Sequence, residues 1–326
     1  MNPISSEPTC GEAQNHTGLF FTNRFHLICI SLCRFLQKDL PLKLLRITAV
    51  FVFVAGAAIF LYLALHHRQI YSENCSGGDH FQITRQGKIR FKALNESSGL
   101  SHWKEDWFFT HNDDTDSCLY LINAKGKLIR KWFVPYRNRD WEDVCRDDLG
   151  KIYIGDFGNN FNTSKHLRIY IVDPEKNKTE GIIRFRYLDQ KGFPPVKPGS
   201  MNFDCEAMVY QKDSLYLFTK NKRERSTNVY AIPAKPGNYT AVKKQEIPLL
   251  GMVTAASLRP DGKELALLTY GKLYFFTLNT GLQSIPNPDF CFAWSKFRQS
   301  ESLSYWGRDS LLAGNEQRDL YLITRK

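Results

Sequence analysis

One stretch recurs along the chain, and the spacing of its copies limits the fold more than any other feature. It opens as Asp140-Trp141-Glu142-Asp143-Val144-Cys145 and runs through Lys151–Gly155 to Asp156-Phe157-Gly158-Asn159-Asn160. An acidic pair leads into a short strand, Asp147–Gly150 turns the chain, and a second strand ends in a polar loop. Asp204-Cys205-Glu206-Ala207 before Leu215–Phe218 repeats the unit, as does Gln299-Ser300-Glu301-Ser302 before Leu311–Gly314. Weaker copies are Ser98-Gly99-Leu100 before Trp107–Thr110 and Ala256-Ser257-Leu258 before Leu265–Leu268. Aligned on the apolar residue two positions on, Ser98, Glu142, Glu206, Ala256 and Glu301 share a register, in steps of 44, 64, 50 and 45 residues. A period in this range marks a propeller or a solenoid.

Between the copies the pattern is all-β. Segments of four to seven residues rich in Ile, Leu, Tyr and Phe alternate with turns. The second unit shows four strands, Glu142–Arg146, Lys151–Gly155, Leu167–Val172 and Ile182–Tyr187. Four antiparallel strands per repeat is the blade of a β-propeller. Outer strands are predicted at Lys127–Val134, Ile182–Leu188, Val242–Leu249 and, weakly, Leu282–Ile285. Lys88–Leu94 is a spare outer strand ahead of Ser98, and only three strands follow Ser300. Pairing the spare strand with the last unit closes the ring and removes a free edge. Five blades result. Six stay open, because the 64-residue step has room for another hairpin, although Tyr187–Phe203 is rich in Gly and Pro and lacks a strand pattern.

Ahead of the repeats, Ile47–Leu65 is a 19-residue uncharged apolar run, long enough for a membrane-spanning helix. Lys38, Lys43 and Arg46 precede it. The positive-inside rule then puts the N-terminus in the cytoplasm and the bulk of the chain outside. The expected organisation is a cytoplasmic tail over 1–46, a signal-anchor helix over 47–66, a linker over 67–86 and the propeller over 87–326. His26–Leu36 is mildly amphipathic and suits the membrane surface. Five of eight cysteines follow the span, an odd number that leaves at least one unpaired within the monomer. The net charge of +11 suits anionic ligands or lipid headgroups, or simply a solvated surface. No basic run with interleaved aromatics points to nucleic acid.

In a propeller the first strand of each blade lines the axis. Glu142, Glu206 and Glu301 then converge there, with Ser98 beside them. Carboxylates at close range repel unless some protonate or a cation sits among them. An all-oxygen set favours Ca2+ over zinc or copper. Neutralisation by Lys or Arg is the competing expectation. The loops after the second strands open on the same end and carry His111, Asn112, Asp113, Asp156, Asn159, Asn160, Lys220 and Glu316. With Asp143 these residues form the candidate binding rim for an unknown ligand or partner. Their turn-forming residue types also fit a purely structural role. No nucleophile elbow, Walker loop or HExxH motif occurs, so whether the chain is an enzyme stays open.

Glu96-Ser97-Ser98-Gly99-Leu100 leading to His111-Asn112-Asp113, and Asp140-Trp141-Glu142-Asp143 leading to Ile154-Gly155-Asp156-Phe157-Gly158-Asn159-Asn160, resemble the SdiA-regulated family of exported bacterial β-propeller proteins. The resemblance covers Lys88 to the C-terminus and implies the fold but no activity. The Ser/Glu/Glu/x/Glu register is also similar to the calcium-activated apyrase family, five-bladed propellers with a central calcium. That resemblance implies Ser98, Glu142, Glu206 and Glu301 as calcium ligands, and as an alternative function calcium-dependent hydrolysis of phosphate esters or nucleotides. Ala256 departs from the serine of the fourth blade, and no counterpart of the acidic segment before the first blade is present.

Overall fold

A computed structural model describes residues 48–49, 52–56, 58, 75, 78–94, 96–197, 200–221, 226–293 and 299–326. The chain forms two units, Gly11–Glu73 and one that takes in Asn74–Lys326. In the first, residues 52–56 are helical. Among the described residues no helix is long and apolar enough to cross a membrane. Residues 1–46 and most of Ile47–Leu65 lie outside those residues.

The second unit is all-β. Strand β1 (Phe81–Lys88) precedes β2 (Ser97–Lys104), β3 (Trp107–Asn112), β4 (Cys118–Asn123) and β5 (Leu128–Phe133). Next come β6 (Trp141–Arg146), β7 (Ile152–Asp156), β8 (Leu167–Asp173) and β9 (Lys178–Tyr187). Then follow β10 (Cys205–Gln211), β11 (Ser214–Thr219), β12 (Ser226–Pro233) and β13 (Gly237–Pro248). The next run is β14 (Val253–Leu258), β15 (Glu264–Thr269), β16 (Lys272–Thr277) and β17 (Phe290–Ala293). Last are β18 (Ser300–Tyr305), β19 (Ser310–Asn315) and β20 (Asp319–Arg325). Each of the first four runs is an antiparallel sheet in chain order, and the last is completed by β1 pairing with β20. The innermost strands β2, β6, β10, β14 and β18 pack side by side in a closed circle. That arrangement is a propeller.

Apolar faces between adjacent runs hold the circle together. Tyr153 and Phe185 of the second run pack with Met208, Leu217 and Tyr230 of the third. Leu312 and Leu320 of the last pack with Leu100, Phe108 and Tyr120 of the first. Fully burying one such side chain stabilises the fold by roughly 1.5–3 kcal/mol. The outer strands β9 and β13 also pair, in parallel, so the second and third runs share one eight-stranded sheet.

Two strand positions differ from the sequence reading. The closing strand is Phe81–Lys88, not Lys88–Leu94, and all but its last two residues fall within the stretch read as linker. Phe81 anchors it, stacking on Phe275 and Phe292 at 5.0 Å. Ile89 and Leu94 are buried outside any strand, and the Ile89 N–H donates to the Arg318 carbonyl at 2.9 Å. The outer strand of the fourth run is Phe290–Ala293, not Leu282–Ile285. Leu282 and Ile285 are buried loop residues packed against that run's core. A Cys75–Cys291 disulfide ties the segment before β1 to β17, while Cys145 and Cys205 are free and buried and Cys118 is buried. Between Leu188 and Asp204 no strand appears among the described residues, so no further hairpin is seen in the long step.

The inner strands share one irregularity. Pairing slips by one residue between Trp141 and Asp143, Cys205 and Ala207, Val253 and Ala255, and Ser300 and Ser302. The extra residues are therefore Glu142, Glu206, Thr254 and Glu301. A bulge bends its strand and re-aims a side chain. Thr254, not Ala256, holds the fourth position, because the alignment on apolar residues ran two residues long there. In β2 the slip lies between Ser98 and Ser101.

Candidate functional site

The loop after β7 shows how the sequence builds this end of the ring. At Gly155 a Cβ would lie 2.1 Å from the Phe157 ring, so glycine lets that ring fold back into the core. Asp156 is buried and spends its carboxylate on the loop before β6. It accepts from the Arg139 and Asp140 amides at 3.2 Å, from Arg139 Nε at 3.1 Å and from the Tyr170 hydroxyl at 2.8 Å. This positions Asp140. Gly158 then passes against the acids: a Cβ there would lie 2.3 Å from Asp140 Cγ and from Glu142 Oε1. Asn159 ties the loop to the next run, donating its amide to Asp204 Oδ1 at 2.8 Å and its side chain to the Phe203 carbonyl at 3.1 Å.

One carboxylate oxygen from each of Asp113, Asp140 and Glu142 lies within 4.8 Å of the others. Asp113 follows β3, Asp140 precedes β6, and Glu142 is the bulge residue. The Trp141 N–H donates to the Asp113 carbonyl at 2.9 Å and fixes these two segments together. Glu142 is 5% exposed. The Oδ1 atom of Asp113 is buried with no hydrogen-bond partner. Burial, then Asp140 and Glu301, pushes Asp113 up to about 8. Burial, then Asp204, raises Asp140 to about 6. Glu142 stands well above the ordinary carboxylate range through burial first, then Glu206 and Asp113. These oxygens are short of positive charge.

Glu206 and Glu301 face the same end with other partners. Glu206 is 2% exposed; its Oε2 accepts from Lys220 Nζ at 2.9 Å, and its Oε1 has no partner. Burial raises it well above the usual range against the opposing pull of Lys220. Glu301 Oε1 accepts from the Tyr270 hydroxyl at 2.6 Å. Ser98 Oγ donates to the Glu142 carbonyl at 2.7 Å, and Thr254 Oγ1 donates to the Ser300 carbonyl at 2.6 Å. Both hydroxyls lace neighbouring inner strands together. Of the implied ligand set, only Glu142 belongs to the three-carboxylate group. Asp140 enters that group from outside the sequence-predicted residues; the signal available was its place directly before Trp141-Glu142.

Several rim residues hold structure. Asn112 Nδ2 donates to the Ala93 carbonyl at 2.6 Å and to Asp116 at 3.0 Å. Asp143 accepts from the Val144 amide at 2.8 Å and from the Met208 amide of the next run at 2.7 Å. His111 is fully buried against Trp141, with Nδ1 at 2.9 Å from the Asn112 carbonyl, and burial lowers it to about 4. It is neutral at physiological pH and shielded from solvent. Asn160 is exposed. Burial, then Glu301 and Glu96, raises the half-buried Glu316 to about 7. At the far ends of the inner strands a separate 820 Å3 cavity contains none of these residues. Its polar walls are largely spoken for: Arg146 donates to the Trp103 carbonyl, and Ser257 and Ser304 accept from the Tyr305 and His102 amides.

No protein-family model matches the sequence, and no curated protein matches it either. Among solved structures, the chain is similar to the PQQ-bound aldose sugar dehydrogenase of Streptomyces coelicolor, at 11% identity over 76% of this chain and 98% of that one, TM-score 0.44. It is similar to the β-propeller domain of Cps50 (Swd1) from Myceliophteria thermophila, at 11% identity over 75% and 100%, TM-score 0.42. Virginiamycin B lyase from Staphylococcus aureus gives 12% over 71% and 66%, TM-score 0.39.

Proposed function

We propose that this chain is a divalent-cation-binding β-propeller of five four-stranded blades, anchored in a membrane by Ile47–Leu65, that presents a ligand- or partner-binding face beside the ion. The observation that carries the reading is the grouping of Asp113, Asp140 and Glu142 oxygens within 4.8 Å, with an unpartnered Asp113 Oδ1 among them. Three hard oxygen donors from three points of the backbone suit Ca2+, which takes six to eight oxygens in flexible geometry. The remaining positions fall to water or to an incoming ligand. The hydrolase alternative finds no support in the side chains: the nearby histidine is buried and neutral, and Asp156 is held by four donors.

Calcium titrated into the full-length chain in detergent, followed by calorimetry, is expected to give saturable uptake of one ion per chain, weakened at least tenfold in Asp113→Asn. No uptake, or uptake unchanged in that variant, rejects the site. The anchor rests on the apolar run and the Lys/Arg bias before it. Protease added outside intact cells is expected to digest the propeller and spare residues 1–46; a protected propeller reverses the orientation.

A further inference from the structure

The acidic end of the ring carries a built-in cation. Lys220 directly follows β11, and its amide donates to the Asp204 carbonyl at 2.7 Å, which fixes its backbone. Its Nζ donates to Glu206 Oε2 at 2.9 Å and sits 5.3 Å from the centre of the Tyr270 ring. The Tyr270 hydroxyl donates in turn to Glu301 at 2.6 Å. Lys220 is 8% exposed and Glu206 2%. Burying an ammonium requires a paired anion, and burying Glu206 requires a paired cation. Glu206 nevertheless keeps one buried oxygen, Oε1, without any partner. One ammonium does not satisfy the carboxylate it serves.

We propose that Lys220 is the permanent tenant of a second cation position, formed by Glu206 and Glu301, in the same axial centre as the Asp113–Asp140–Glu142 site. The inference deepens the reading of that centre as a cation site. Its consequence is a division of labour. The lysine occupies Glu206, and Tyr270, whose ring its ammonium faces, occupies Glu301, so neither carboxylate closes around the ion on the other side. That ion then retains coordination positions for a ligand oxygen. An aromatic face and a single-point ammonium hold this half rigid without a metal. Without the lysine charge, the buried oxygens of Glu206 and the half-buried carboxylate of Glu301 suit a hard divalent ion.

The test is metal stoichiometry on the full-length chain, by equilibrium dialysis against calcium and elemental analysis. Lys220→Gln is expected to bind one calcium more per chain than wild type. Lys220→Arg is expected to keep the wild-type count, and Lys220→Gln combined with Glu206→Gln to return to it. Circular dichroism checks folding in calcium. A folded Lys220→Gln protein with the wild-type count overturns the proposal. So does a Lys220→Gln protein that stays unfolded in calcium, since a divalent ion should replace the ammonium. The increment is read against wild type: a wild type without calcium rejects the first site, while a gain of one in Lys220→Gln still supports the second position.

Discussion

Gly158 is where a single atom decides the centre. A methyl group there meets Asp140 Cγ and Glu142 Oε1 at 2.3 Å, and overpacking of this kind costs about 1–3 kcal/mol. Gly158→Ala is therefore expected to lower both the melting temperature and the calcium affinity, measured by calorimetry on one sample. A variant with unchanged affinity would detach the loop from the site. The sequence motif gave the loop but not its division of roles. Asp156 and Asn159 are as polar on paper as Asp113, yet they spend their polar atoms on backbone amides and carbonyls. Hydrogen-bond satisfaction depends on partners distant in sequence, such as Phe203 and Asp204, and no local pattern reveals it. Lys220 is legible in the sequence as a rim residue, and converging carboxylates call for a neutralising Lys or Arg. Its pairing with Glu206, 14 positions away, follows from the β10–β11 hairpin.

At the scale of elements, the inner and second strands were read well because both faces are buried, the second strands with mostly apolar residues and the inner strands with a repeated motif. Ile152–Asp156 is buried throughout, and so is Glu264–Thr269. Outer strands were read less well, since one face meets solvent and the apolar signal halves. Phe81–Lys88 reads FQITRQGK and has one fully buried side chain, Phe81. Nearby Ile89 and Leu94 are more apolar and drew the strand assignment away. The bulge was the hardest feature to see. It inserts one residue without altering composition, so only pairing exposes it, and it moved the fourth register position from Ala256 to Thr254. With Thr254 in place the last steps become nearly equal, as expected for adjoining copies of one unit.

For the whole molecule, the centre imposes an electrostatic cost that a proton or a cation relieves. Asp113 rises to about 8 and Asp140 to about 6 in the fold, from ordinary values of 3.8. A carboxyl whose folded value is raised binds more protons folded than unfolded. Its contribution to stability is complete below 3.8 and is lost as pH rises to about 8. Calcium replaces the proton at the top of that window. At a hundredfold excess over its dissociation constant it adds about 2.7 kcal/mol, which is roughly 5–10 °C for a domain of this size. The most direct measurement is the melting temperature of the full-length chain at pH 5.5 and pH 8, in chelator and in calcium. In chelator the protein should melt lower at pH 8 than at pH 5.5, and calcium should raise the pH 8 value by that margin while changing the pH 5.5 value less. Equal melting in chelator and calcium at pH 8 would contradict a cation site at Asp113, Asp140 and Glu142.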